Sequence, residues 1–283
     1  MTFSVAASPA WLRSFLIFAG SLALVAPVSA DDKKAAKIGK EATQDHLREE
    51  LGINQFTTPS IETLLTALHE LRPVRYDKVA RDVPEQYPSD RARLALSTGG
   101  LIADGFLAVA AEKQSRMEPI GRALLQQARG LGVGDHVTAH SKGILDRAAK
   151  KDWDGVRAEL IGTQRDVENG MMALKDEEIA HLVALGGWWR GLEIASTIVE
   201  QDYTPTRAAL LVQASVLDYF IDRVSSLNPR FKKTKLWAAL NANLRTVRDL
   251  AVKDDRTPPT ADAVKKLHAL AKTTNDAIAT PEE

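Results

Sequence analysis

Two 18-residue stretches, 94–111 and 182–199, limit how this chain can fold, because they are almost free of charge. The first, LALSTGGLIADGFLAVAA, carries only Asp104; the second, LVALGGWWRGLEIASTIV, carries only Arg190 and Glu193. A helix apolar on nearly every side must be enclosed, by other helices or by a membrane. A charge near the middle of each segment would be costly in lipid, and ordinary amphipathic stretches flank both. Both segments are therefore expected to be buried central helices of a soluble bundle, with no membrane span in the mature chain.

The two stretches belong to one internal repeat. At an offset of 86, residues 89–131 lie over 175–217 without a gap, and 11 of the 43 positions are identical. Ala and Leu matches count for little in helices of this composition. Asp90/Asp176, Gly100/Gly186, Gly105/Gly191 and Pro119/Pro205 carry the weight, because each residue type has its own local job. Each copy is expected to be a long helix, a turn, and a second helix opened by Pro119 or Pro205, since proline suits the first helical position.

Glycine inside a helix costs about 1 kcal/mol relative to alanine, so the glycines of the long helices need compensation. Close approach of two helix backbones supplies it. Gly187 and Gly191 are spaced for such an approach, as are Gly99 and Ala103 in the other copy, one residue out of register. If the copies pack about a pseudo-two-fold axis, the long helices should cross at these glycines. Asp104 then falls opposite Arg190, its aligned position. An ion pair between them would neutralise both; otherwise each charge must find its own local polar partner.

The remainder reads as helix. Starts are marked at Ser89-Asp90, Glu118-Pro119, Gly134-Asp135, Lys151-Asp152, Asp176, Thr204-Pro205, Asn228-Pro229 and Thr260, where side-chain acceptors or proline satisfy free N–H groups. Another helix is expected near 34–51, and one opened by Thr57-Thr58-Pro59-Ser60 is stopped by Pro73. No run alternates in the manner of a strand. The fold expected is all-α, a bundle of about ten helices containing the duplicated helix-turn-helix unit, with the two glycine-containing helices buried at its centre.

Residues 1–30 read as a signal peptide: Arg13, an apolar core from Phe15 to Ala26, then Val28-Ser29-Ala30. The mature chain is expected to be a single domain over 31–283, periplasmic or secreted. The sequence has 37 basic and 37 acidic residues, so no electrostatic footprint for nucleic acid exists. It has no cysteine, which excludes disulfides, thiolate metal sites and cysteine nucleophiles.

Candidate chemistry is sparse. His136 and His140 stand at i, i+4, a spacing able to chelate zinc, but no third ligand accompanies them in the sequence, and partly exposed polar residues are the plainer reading. Glu178-Ile-Ala-His181 matches one step of a carboxylate di-iron bundle, which needs two such steps and two further glutamates. The aligned positions in the other copy are Ala92 and Ala95. Trp188 and Trp189 stand where the other copy has Ile102 and Ala103, and so break the symmetry. If buried, their indole N–H groups need partners. A ligand site is therefore sought at His181, Trp188, Trp189, Arg190 and Asp104. The lysine runs at 33–40 and 232–235 read as solvated faces.

No cofactor motif and no catalytic constellation is recognisable. The chain is expected to be an exported, non-enzymatic helical module binding an unidentified small ligand or protein. The alternatives are a metal-binding protein or enzyme using His181/Glu178 or His136/His140, and a structural envelope-associated protein.

Overall fold

The computed structural model describes residues 70–71, 74–231, 234–252 and 257–280. The leader-like residues, the lysine-rich stretch 33–40, the helix expected near 34–51 and most of the helix expected after Thr57 lie outside the described residues. Described residues form helices only: α1 (Tyr76–Val79), α2 (Arg91–Ala110), α3 (Gln114–Leu131), α4 (Gly134–Ala149), α5 (Trp153–Ala173), α6 (Glu177–Gln201), α7 (Pro205–Ala209), α8 (Ala214–Ser226), α9 (Lys235–Ala251) and α10 (Ala261–Ala279). All of them fall within one unit, Arg48–Glu283.

Local chemistry sets most boundaries. Asp90 accepts from the N–H of Arg93, Thr204 from Arg207 and Thr260 from Ala263, each capping its helix. Four successive helices, α2 to α5, end with a residue in the left-handed region: Glu112 (φ 53°), Gly132 (φ 85°), Lys151 (φ 58°) and Lys175 (φ 56°). At each, the following N–H reaches back to a carbonyl in the last turn, as in Lys113 N–H to Ala108 O at 2.8 Å. These turns fold α2 to α6 back and forth with almost no loop.

Two starts differ from expectation. α3 begins at Gln114, so Pro119 lies inside it, in the second turn, where its missing N–H removes one intrahelical bond. Pro205 does open a helix, but α7 is only five residues long, and the chain turns again before α8. The second half of the two aligned segments is thus a continuous helix in one and a broken one in the other. Asn228-Pro229 opens a turn, and the next helix begins at Lys235.

α2 and α6 are both buried almost throughout. α2 is long and apolar enough to cross a membrane, yet nearly all of its apolar stretch is buried inside the protein. The two backbones touch. A Cβ built on Gly99 would sit 1.8 Å from the Val183 carbonyl oxygen, and one on Gly186 would sit 1.9 Å from that of Leu96. Further along both helices, Asp104 and Arg190 pair. That pairing requires α2 and α6 to run in the same direction, since antiparallel helices crossing at Gly99 and Gly186 would carry these residues apart. The crossing uses Gly186 from the aligned pairs and Gly99 from the close-approach spacing, but the α2 glycines of those pairs serve elsewhere. Gly100, aligned with Gly186, faces the Arg81 guanidinium, and Gly105 faces Ile120 and Leu160. Outside this pair, α10 lies along α6, α3 lies along α2, and α4 packs chiefly against α3 and α5.

Candidate functional site

Asp104 and Arg190 meet in the core. Arg190 is 1% exposed, and each of its guanidinium nitrogens has a partner. Nε donates to Asp104 Oδ1 at 2.7 Å, Nη1 to Glu193 Oε2 at 2.9 Å, and Nη2 to the Val79 carbonyl at 2.6 Å. The second Asp104 oxygen accepts from Arg81 Nε at 2.7 Å. Glu193 also accepts from Asn275 Nδ2 at 2.9 Å, which ties α10 into the network. Burial works against the Arg190 charge, but Asp104 and Glu193 outweigh it and hold its pKa above the ordinary value. The cross-helix pair is present, and Arg190 has Glu193 as a local partner besides, because a fully buried guanidinium needs more than one acceptor. Arg81 stands in an irregular stretch, and nothing in the sequence linked it to Asp104.

The tryptophans sit next to this network. Trp189 is 0% and Trp188 7% exposed. The two rings meet edge to face at 5.3 Å, and Trp188 leans on Phe220 at 5.7 Å. Trp188 Nε1 donates to Gln213 Oε1 at 2.9 Å. Trp189 Nε1 has no hydrogen-bond partner among the described residues. His181 continues the cluster: its Nδ1 shares a hydrogen bond of 2.7 Å with the Tyr219 hydroxyl, and the rings pack edge to face. Burial, aided by the nearby Arg223 charge, lowers the His181 pKa to about 4, so the imidazole is neutral at pH 7. Of the aromatic surface that distinguishes 181–196 from its aligned partner, Trp188 and His181 are thus turned inward, onto Phe220 and Tyr219 of α8.

The metal-type spacings are occupied by protein groups. Glu178 Oε1 accepts from the Asn228 N–H at 2.7 Å, on a different partner from His181. His136 and His140 both face α5, where Gly170 and Gly162 leave room for their rings. His140 Nδ1 lies 2.8 Å from Glu159 Oε2, and its Nε2 lies 3.0 Å from Asp166 Oδ2. Glu159 also accepts from Arg147, which reaches Asp152 as well. Among the described residues no group of three or more His, Asp or Glu is arranged to hold a metal ion.

An open concave site lies elsewhere, between α3 and α4. A groove of about 200 Å³ runs between Gly121, Leu124 and Leu125 on one side and Val137, Ile144 and Leu145 on the other. At Met117, Glu118 and Leu145 it meets a wider, shallower hollow of about 630 Å³ rimmed by Glu112, Lys113 and Gln114. A Cβ on Gly121 would meet nothing within 4 Å, so this glycine borders empty space. Leu145, at the junction, is 42% exposed. The groove carries no catalytic motif and is formed by two ordinary amphipathic helices, so no sequence pattern marked it. No protein-family model, curated protein or solved structure matches the chain.

Proposed function

We propose that the chain is an exported, non-enzymatic helical binding module, and that it takes a small, mainly apolar ligand in the groove between α3 and α4. The observation that carries this reading is the groove itself. It is concave, apolar in its depth, charged at its rim by Lys113, Glu118 and Arg122, and open. Ligand sites have this composition, with apolar walls and a few polar groups that fix orientation. The central residues Asp104, Arg190, Trp188 and His181 are engaged with one another or with α8, which favours an architectural role for them. Export to the periplasm is supported by the leader-like first 30 residues and by the absence of cysteine.

The duplication of the helical unit belongs to the same reading. Asp104 and Arg190 are each other's aligned positions, as expected of residues lying on a pseudo-two-fold axis. Gln127 and Gln213, also aligned, both place Oε1 within reach of a donor on a long helix, Thr98 and Trp188 respectively. The divergent uses of Gly100 and Gly186, and of Pro119 and Pro205, mark where the copies have separated.

The test is a Gly121→Leu variant, which fills the groove from a position where a side chain meets no obstacle. The probe is 1-anilinonaphthalene-8-sulfonate, read by its fluorescence. Wild type should bind it saturably and the variant should not, with thermal stability unchanged or raised. Equal binding by both proteins would rule the groove out.

A further inference from the structure

A neutral imidazole has one N–H and one lone pair, whereas a carboxylate only accepts. His140 places both ring nitrogens on carboxylates, Glu159 at 2.8 Å and Asp166 at 3.0 Å. Both contacts are hydrogen bonds only when both nitrogens carry protons. The geometry is therefore that of an imidazolium held between two anions seven residues apart on α5, with its ring over Gly162. Gly143 on α4 makes the matching space for Glu159. His140 thus joins α4 to α5 through two polar contacts.

We propose that His140 is a proton-operated clamp: protonated, it fastens α4 to α5, and on losing its proton it releases one carboxylate and loosens α4. Since α4 is one wall of the apolar groove, the clamp regulates that site, and this part of the inference rests on the binding role proposed for the groove. The groups bearing on His140 are few. From α5 they are Glu159 and Asp166, with Arg165 3.9 Å from Asp166. On α4 itself Arg147 shares Glu159. From α3 the charged groups toward α4 are Glu118 and Arg122, which pair with each other at 3.0 Å, and Arg129, which lies against Gly134. Burial lowers the His140 pKa, and the bonds to Glu159 and Asp166 outweigh it, leaving the pKa raised. With the folded pKa raised, the clamp is fully formed below about pH 6.5, the ordinary histidine value, and is lost as pH rises through the higher folded value.

The experiment follows the histidine Hε1 resonances of wild type between pH 5 and 9, assigning His140 by its loss in His140→Gln or its shift in Asp166→Asn. Amide hydrogen exchange of α4 is measured over the same range. The His140 resonance should titrate above pH 6.5, its midpoint should fall in Asp166→Asn, and α4 protection should drop severalfold toward alkaline pH in wild type. Anilinonaphthalene sulfonate affinity should change over the same interval. A midpoint at or below 6.5, or α4 exchange with no step through the titration, would overturn the clamp whatever the dye does. If exchange steps as expected but the dye binds at no pH, the groove reading fails and the clamp stands. Dye binding that ignores a titrating His140 would overturn the regulation alone. Asp166→Asn supplies these readouts should His140→Gln fail to fold.

Discussion

Gly99→Ala and Gly121→Ala make the same chemical change in two buried or half-buried helices, and the structure requires opposite results. Each gains about 0.5–1 kcal/mol from the better helix propensity of alanine. At Gly121 nothing opposes that gain, because the new methyl meets no atom within 4 Å. At Gly99 the methyl would lie 1.8 Å from Val183 O, 2.6 Å from the Gly187 nitrogen and 2.8 Å from the Val183 carbonyl carbon. All three are backbone atoms of α6, so no rotamer change relieves the clash. Restoring an ordinary Cβ contact of about 3.4 Å means moving the helices apart by roughly 1.6 Å, whereas a gap of about 0.5–1 Å already forfeits a quarter to a half of the dispersion energy. Overpacking that side chains can absorb costs about 1–3 kcal/mol; here the cost should be above about 3 kcal/mol. The two variants should therefore differ by at least about 3 kcal/mol, or roughly 1 M in urea midpoint at an m-value near 3 kcal/mol/M. Gly186→Ala, 1.9 Å from Leu96 O, should behave like Gly99→Ala. Urea titration followed by far-ultraviolet ellipticity measures this. Midpoints of Gly99→Ala and Gly121→Ala within about 0.3 M of each other at that m-value would refute the close-approach reasoning.

Three other expectations concern charge, pH and backbone. Asp104→Ala leaves Arg190 buried with Glu193 as its one remaining carboxylate and should cost about 3–5 kcal/mol; a loss below about 1 kcal/mol in chemical denaturation would contradict the network. His181, with its folded pKa near 4, binds fewer protons folded than unfolded between about pH 4 and 6.5, so its contribution is complete above about 6.5 and is lost on acidification. Wild type should lose up to about 3 kcal/mol more than His181→Phe between pH 7 and 4, and parallel stability curves for the two would disprove it. Glu112→Gly, Lys151→Gly and Lys175→Gly relieve left-handed backbone and should each add up to about 1 kcal/mol, while Gly132→Ala should lose about as much; calorimetric melting of the four variants would show whether the signs are opposite.

The fold class, the burial of α2 and α6 and the pairing of Asp104 with Arg190 were legible because each follows from one-dimensional pattern: charge spacing, capping residues and an alignment of the chain on itself. What escaped depends on three-dimensional closure. Arg81 belongs to no periodic segment, and only the folded path brings it to the second oxygen of Asp104. Glu159 and Asp166 look like solvent-facing helix residues until α4 sets His140 between them. The groove is a shortage of packing beside Gly121, and a sequence records which side chains exist, not where they fail to meet. The tryptophans were legible as unusual but not as inward, because the direction of Trp188 is set by Gln213 and Phe220, at and within an element whose start at Ala214 carries no side-chain cap. Pro119 misled because proline favours the first helical position, whereas here the helix begins at Gln114 and runs through it.

The common direction of α2 and α6 has a kinetic consequence. Two adjacent helices pointing the same way cannot be joined by a tight turn, so α3, α4 and α5 together serve as the return path. The seam therefore joins residues as distant in sequence as Gly99 and Val183 or Leu96 and Gly186, and the entropy of closing that long loop must be met before these contacts gain anything. The hairpin-like neighbours, α4 with α5 and α9 with α10, need no such closure. Such a chain should form its peripheral hairpins before the seam between α2 and α6, so during refolding the most deeply buried region should be the last to become protected against amide exchange.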